Sequence, residues 1–203
     1  ISGDASLNPN TGNVWGIQPY SSSIQSGSGA ITLNFIGGKA SGNSRGLAVD
    51  GGSFKVLSSS GTITLIDDSP TGLTGNYNGL YLRPSANDAI RFGADGSNVL
   101  TSSSDIIISA DKVDFVTYKT KFDTSGTITI DSPDGAFDSA VALDAIAFVG
   151  SPTGLAVGKL TNTSNITIDS TLSINGDIII FGNDVTLNQD ITASSGNDVI
   201  IAA

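Results

Sequence analysis

From Ala30 onward the chain reads apolar–polar–apolar in short pieces. Ile31-Thr32-Leu33, Phe54-Lys55-Val56-Leu57, Ile63-Thr64-Leu65, Leu80-Tyr81-Leu82, Ile90-Arg91-Phe92, Val113-Asp114-Phe115 and Ile128-Thr129-Ile130 follow one another. Ile166-Thr167-Ile168, Leu172-Ser173-Ile174, Ile178-Ile179-Ile180, Val185-Thr186-Leu187 and Val199-Ile200-Ile201 complete the series. Gly, Asn, Asp or Ser bound nearly every piece, so each predicts a short strand with one buried and one wet face. Residues 1–28 are the least regular part and read as an N-terminal segment or linker. There Asn8 to Asn13 and Ser21 to Gly29 carry turn chemistry. They flank Val14-Trp15-Gly16-Ile17 and Tyr20, the only concentration of large aromatics at that end. Residues 29–203 read as one repeat-built region.

The pieces recur in order. Gly79-Leu80-Tyr81-Leu82, Ala89-Ile90-Arg91-Phe92, Asp105-Ile106-Ile107-Ile108 and Gly126-Thr127-Ile128-Thr129-Ile130 form one set. Gly154-Leu155-Ala156-Val157, Asn165-Ile166-Thr167-Ile168, Asp177-Ile178-Ile179-Ile180 and Asp198-Val199-Ile200-Ile201 form a second, 70 to 76 residues on. A partial earlier copy runs from Gly46-Leu47-Ala48-Val49 to Gly61-Thr62-Ile63-Thr64-Leu65. A fixed order of short strands at a near-constant period is a solenoid signature. The competing architecture is an antiparallel sandwich, and Asp50-Gly51, Asp95-Gly96, Asp134-Gly135 and Asn175-Gly176 supply hairpin-type turn residues for it. A sandwich has no need to repeat its whole strand set. The pattern therefore predicts an all-β, right-handed parallel β-helix with coils of about 20–25 residues, about eight or nine in all, stacked at the interstrand spacing. Pro70, Pro133 and Pro152 fall between strands, where a missing donor costs no ladder bond. Only Ala136 to Val149 could form a short helix, and a strand at Ala145–Val149 is an equal reading.

Composition supports the strands. All 19 acidic residues are Asp, with no Glu, His, Cys or Met, while Ser and Thr number 48, Asn 15 and Gly 25. Turn formers abound and helix formers are scarce. A net charge of −10, with nine scattered cations, argues against nucleic acid, whose phosphates need clustered Lys and Arg. No run approaches the ~18 apolar residues of a membrane span. The chain closes inside an apolar strand, Val199 to Ala203, whereas solenoids end in polar caps. With no initiator Met or signal peptide, it is expected to be a segment of a longer polypeptide whose β-helix continues beyond the chain end, against neighbouring repeats.

Reactive chemistry is nearly absent. Without His or Cys there is no Ser–His–Asp or Cys–His system and no ordinary zinc site. Asp67-Asp68 is the only adjacent carboxylate pair. It precedes a Ser-Pro turn and its members point to opposite strand faces, so it reads as a solvated turn rather than a glycosidase pair. Calcium would find its best ligands in Asp131, Asp134 and Asp138. Thr62-Ile63-Thr64 and Thr127-Ile128-Thr129 echo ice-binding solenoids but are too few for a regular Thr array. No catalytic residue, cofactor site or metal site is assigned.

The tail carries a resemblance. Gly154-Leu155-Ala156-Val157-Gly158-Lys159, Asn165 to Ile168, Ser173 to Ile178, Asn183 to Asn188 and Ser195 to Ile201 resemble the repeats of large filamentous-haemagglutinin-like bacterial adhesins, particularly of Bacteroidota. The likeness is good over 154–203, weaker over 46–130 and absent over 1–28. It implies a secreted, cell-surface β-helical stalk used for attachment or gliding, exported by the type IX system, with an unidentified carbohydrate or protein receptor. Within that resemblance Asp138-Ser139-Ala140 and Asp169-Ser170-Thr171 match the short Asp-Ser/Thr-small-or-apolar pattern used for O-glycosylation in Bacteroidota, which makes Ser139 and Ser170 candidate sites. Two other classes stay open. One is a phage tail-fibre or tailspike receptor-binding β-helix, which a strict trimer would favour. The other is a β-helical polysaccharide-degrading enzyme, which a cleft lined by several Asp residues would favour.

Overall fold

The computed structural model describes residues 1–4, 13–38, 43–70 and 76–203. The described residues form strands and no helix. In chain order these are β1 (Ser2–Asp4), β2 (Val14–Ile17), β3 (Ser22–Ser26), β4 (Ile31–Ile36), β5 (Asn43–Gly52), β6 (Phe54–Ser58), β7 (Ile63–Asp67) and β8 (Asn76–Pro84). Next come β9 (Ile90–Gly93), β10 (Ile106–Ser109), β11 (Val113–Phe115), β12 (Thr120–Asp123), β13 (Thr127–Asp131), β14 (Val141–Leu143) and β15 (Ile146–Val149). The last are β16 (Gly154–Val157), β17 (Ile166–Ile168), β18 (Leu172–Ile174), β19 (Asp177–Phe181), β20 (Val185–Leu187), β21 (Ile191–Ala193) and β22 (Val199–Ala202).

Each strand in a ladder pairs, in parallel, with the strand three places along the chain. Sheet A runs β1-β4-β7-β10-β13-β16-β19-β22. Sheet B is β2-β5-β8-β11, and sheet D, β14-β17-β20, continues its place in the strand order. Sheet C is β3-β6-β9-β12-β15, followed in the same way by sheet E, β18-β21. Parallel pairing at a three-strand step excludes the antiparallel sandwich and fits a parallel β-helix. The Asp-Gly pairs do not turn hairpins: Gly96 and Gly135 sit in connections between strands and Gly51 at a bulge near the end of β5, all with positive φ (72, 93 and 73°), a conformation glycine adopts without cost.

Alternation decides which side chains go inside. In sheet A, Ile31, Ile63, Ile106, Ile128, Leu155, Ile178 and Val199 lie in one register row. Leu33, Leu65, Ile108, Ile130, Val157, Ile180 and Ile201 form the next inward row. These rows are buried until the last strand, where Val199 and Ile201 are 45% and 39% exposed. Between them runs an outward row, Thr32, Thr64, Ile107, Thr129, Ala156, Ile179 and Ile200, too mixed to be a regular Thr array. Sheet C contributes a stack of rings to the interior, Phe92, Phe122 and Phe148, with centroids 5.4 and 5.5 Å apart, within the range of favourable aromatic contact.

The long sequence repeat is only partly a structural period. Asp105–Ile108 and Asp177–Ile180 do fall in the same sheet, as do Gly126–Ile130 and Asp198–Ile201. Gly79–Leu82 lies in sheet B, however, and its counterpart Gly154–Val157 in sheet A; Ile90–Phe92 lies in C and Ile166–Ile168 in D. The true neighbour of Gly79–Leu82 is the supposed earlier copy, since Leu47 pairs with Leu80 and Val49 with Leu82. The two Ser-Pro-Thr-Gly-Leu pieces also differ in place. Ser69-Pro70 follows β7, Ser151-Pro152 precedes β16, and Thr71 to Leu73 lie outside the described residues. The same Ser-Pro pair falls at different places in the coil because a turn sequence specifies local dihedrals, not position.

Three strands, β1, β2 and β3, fall within residues 1–28 and pair with β4, β5 and β6. Asn8 to Gly12, in the turn chemistry read there, lie outside the described residues. The helix option over 136–149 is not taken: β14 and β15 occupy it, with Val141, Leu143 and Ile146 buried.

Candidate functional site

Three polar constellations are built on this frame. The first lies where sheet A turns toward sheet B. Asp67, the last residue of β7, pairs with Phe35 and is only 2% exposed. The Tyr77 hydroxyl donates to its Oδ2 at 2.6 Å and the Ser69 amide to its Oδ1 at 3.1 Å. The Ser69 hydroxyl accepts the Gly37 amide at 2.7 Å. Gly79 makes room for this carboxylate, because a Cβ there would stand 1.9 Å from Asp67 Oδ2. Beside it Asp111, 4% exposed, accepts the Ser132 hydroxyl at 2.5 Å. Asp67-Asp68 is therefore not a solvated turn; Asp68 is exposed, but Asp67 is a buried acceptor.

Burial raises the pKa of Asp67, with bonds from Ser69 and Tyr77 opposing. Burial also raises Asp111, Ser132 lowers it, and the charges of Asp134, Asp138 and Asp67 push it further up. The Tyr77 hydroxyl is pushed above its ordinary range by burial and by the Asp67 charge. Such shifts mark catalytic sites when they face a cleft. Both carboxylates here are covered, so their chemistry is proton-linked stability.

The second constellation is a ladder of ion pairs on the outer face of sheet C. Lys55, Arg91 and Lys121 are in register. Lys55 Nζ meets Asp95 at 2.9 Å, Lys121 Nζ meets Asp88 at 2.9 Å, and Arg91 lies 3.6 Å from both Asp88 and Asp123. Asp95 also accepts the amides of Ser97, Asn98 and Val99 at 3.0, 2.8 and 3.2 Å. Burial raises its pKa, but Lys55 and the bonds of the Ser97–Val99 loop outweigh that and hold it well below the usual carboxylate range. Each of these cations is neutralised by its own carboxylate, so the ladder offers little to an external anion.

The third is the outer face of sheet B. Trp15, Arg45 and Asn78 form one outward row, Ala48, Tyr81 and Asp114 a second, and Asp50 with Arg83 a third. The Arg45 guanidinium lies 3.5 Å over the Tyr81 ring and its Nη1 bonds Asp50 at 2.8 Å, while Arg83 pairs with the other Asp50 oxygen. Asn78 Nδ2 donates to Asp114 at 3.1 Å. Burial raises the Asp114 pKa, and Lys112 opposes the shift. Among the described residues Arg45 Nε and Trp15 Nε1 are covered without a hydrogen-bond partner. Two exposed aromatics, Tyr20 (72%) and Tyr118 (44%), stand at the adjoining corner toward sheet C.

The residues singled out from sequence are dispersed. Asp131 faces Lys159 Nζ at 3.4 Å, while Asp134 and Asp138 lie near Asp111. No three metal-ligating side chains converge among the described residues. Ser139 is half-buried in the connection before β14. Ser170 is buried and its hydroxyl donates to the Asp144 carbonyl, so modification there would have to precede closure of that turn. Arg45, Tyr77, Asp111 and Tyr81 had no motif to announce them. Asn162, 7% exposed, was equally silent, yet it accepts the Phe137 amide at 3.2 Å and donates to the Phe181 carbonyl at 2.8 Å. Their roles come from stacking of residues far apart in sequence.

No family model matches the chain, and neither a curated protein nor a solved structure matches it. No helix among the described residues is long and apolar enough to cross a membrane.

Proposed function

We propose that this chain is a stalk segment of a secreted, cell-surface adhesin filament that serves attachment or gliding over surfaces. The observation that carries this reading is the uninterrupted parallel step of three strands from β1 to β22 in sheet A. Each repeat of such a stack touches only its neighbours, so length can grow without redesign of a core. The winding is taken as right-handed, the hand of about 98% of parallel crossover connections, with eight or nine coils. The likeness of the tail to adhesin repeats of Bacteroidota supports the extracellular setting and type IX export. A net charge of −10 gives neighbouring filaments mutual repulsion. Small-angle scattering and electron microscopy test the reading. An elongated particle supports it, and a compact globule with a deep acidic cleft overturns it.

A further inference from the structure

We propose that the outer face of sheet B is a docking strip for a neutral polysaccharide. This deepens the attachment reading and rests on it.

The distribution of side chains separates this face from the rest of the solenoid. The chain has one Trp and four Tyr. Tyr77 is buried against Asp67, and the remaining four rings all lie on sheet B or at its corner with sheet C. Trp15 and Tyr81 lie in outward rows on the sheet, and Tyr20 and Tyr118 stand exposed beside it. Farther along the strand order, the outward row of sheet D carries Ala142, Thr167 and Thr186, with neither ring nor charge. Aromatic bodies with polar rims are what pyranose rings use: their C–H faces pack on the rings and their hydroxyls need donors and acceptors close by.

Those donors and acceptors are held rigid. The Arg45 side chain is 10% exposed and clamped by Tyr81 and Asp50. Arg83, 46% exposed, extends the Asp50 pair toward solvent. Asp114 and Asn78 bond each other and present a mixed amide and carboxylate edge. A clamped fork loses little freedom on binding, which favours a weakly interacting ligand such as a sugar.

Charge selects the kind of glycan. Arg45 and Arg83 balance Asp50 and Asp114 on the strip itself. Residues 122–203 hold ten Asp against Lys159 alone, whereas residues 1–121 hold nine Asp against eight cations. The strip thus lies in the nearly neutral half of an acidic protein. A polyanionic glycan would be repelled and gains no unpaired cationic row; an uncharged chain pays no such penalty.

Because Trp15 is the only Trp, its fluorescence reports on this face alone. The test titrates the protein with galactomannan, laminarin and dextran, with alginate as the polyanionic counterpart. Saturable change of Trp15 emission is expected with at least one neutral polysaccharide and none with alginate. Tyr81→Ala and Arg83→Ala are expected to weaken binding at least about tenfold, the loss of one good contact. Thr167→Ala, on sheet D, should bind as the parent does. Far-UV circular dichroism checks that each variant is folded. Arg83, being half exposed, carries the test if Tyr81→Ala unfolds. No saturable response to any neutral probe, a response insensitive to both substitutions, or preference for alginate would each overturn the strip. An elongated particle that binds none of the probes refutes the strip and leaves the stalk standing; a compact particle refutes the stalk itself.

Discussion

In the Asp-Ile-Ile-Ile strands, stability should sit in the outer two isoleucines and not in the middle one. Ile106 and Ile108 are fully buried in β10, while Ile107 points outward between Thr64 and Thr129. Ile108→Ala removes three buried carbons at about 0.8 kcal/mol each, roughly 2.4 kcal/mol of transfer free energy. The hole it leaves is bounded by Leu65 and Ile130, which parallel ladders hold in place on both sides. Collapse is thereby restricted, and a cavity term brings the total to about 3–5 kcal/mol. Ile107→Ala loses half-exposed surface and opens no cavity, so about 1 kcal/mol or less is expected. Ile180→Ala, in the matching strand β19, repeats the test. Ile180 is fully buried between Val157 and Ile201, so a loss of about 2–5 kcal/mol is expected there too. Urea unfolding followed by circular dichroism measures all three. Equal losses at Ile107 and Ile108, or an Ile180 loss no larger than that of Ile107, would refute one-sided burial.

Stacked backbones should make some glycines irreplaceable: a Cβ at Gly126 would stand 2.3 Å from the Ser104 carbonyl oxygen, while one at Gly27 meets nothing within 4 Å. Gly126→Ala should therefore cost about 1–3 kcal/mol and Gly27→Ala almost nothing in the same denaturation assay; equal effects would contradict the close coil contact. Asp67 has a raised pKa in the fold, so the native state holds its proton more tightly than the unfolded chain. Its contribution thus declines as pH rises from the unfolded pKa, about 4, through the higher folded value. Asp67→Asn should gain on the parent across that rise, and pH profiles of unfolding midpoints that run parallel would rule the linkage out. Asp95 has the opposite sign, with stability present above about pH 4 and lost as pH falls through its depressed folded pKa. Asp95→Ala should cost about 1.5–3 kcal/mol and speed amide exchange at Ser97, Asn98 and Val99; unchanged exchange there would show that Asp95 does not hold the loop.

Strand identity was legible because alternation over three residues already tells the buried face from the wet one, as in Ile166-Thr167-Ile168. Parallel stacking was legible because like residues kept filling like slots. The order of stacking was not. Gly-Leu-Ala-Val at 46–49 and 154–157 reads alike, yet one piece lies in sheet B and the other in sheet A. A strand pattern encodes which face is apolar but not which side of the coil it occupies. Asp67 misled for a related reason. Its burial depends on Tyr77 and on the empty space at Gly79, both from the strand that follows. The sheet B strip was foreshadowed only by Trp15 and Tyr20; Arg45, Tyr81 and Arg83 join them through register, which no local window contains.

The parallel step of three strands can be read directly as a ruler. Spin labels placed on the outward row of sheet A, at Thr32 paired in turn with Thr64, Thr129 and Ile200, sit one, three and six strands apart. At about 4.8 Å per strand, the backbone separations should grow to roughly 5, 14 and 29 Å, and pulsed dipolar spectroscopy should return distances that lengthen in that order. A Thr32–Ile200 distance as short as Thr32–Thr64, or any order that does not increase along the row, would contradict the stacked parallel solenoid and the stalk built on it.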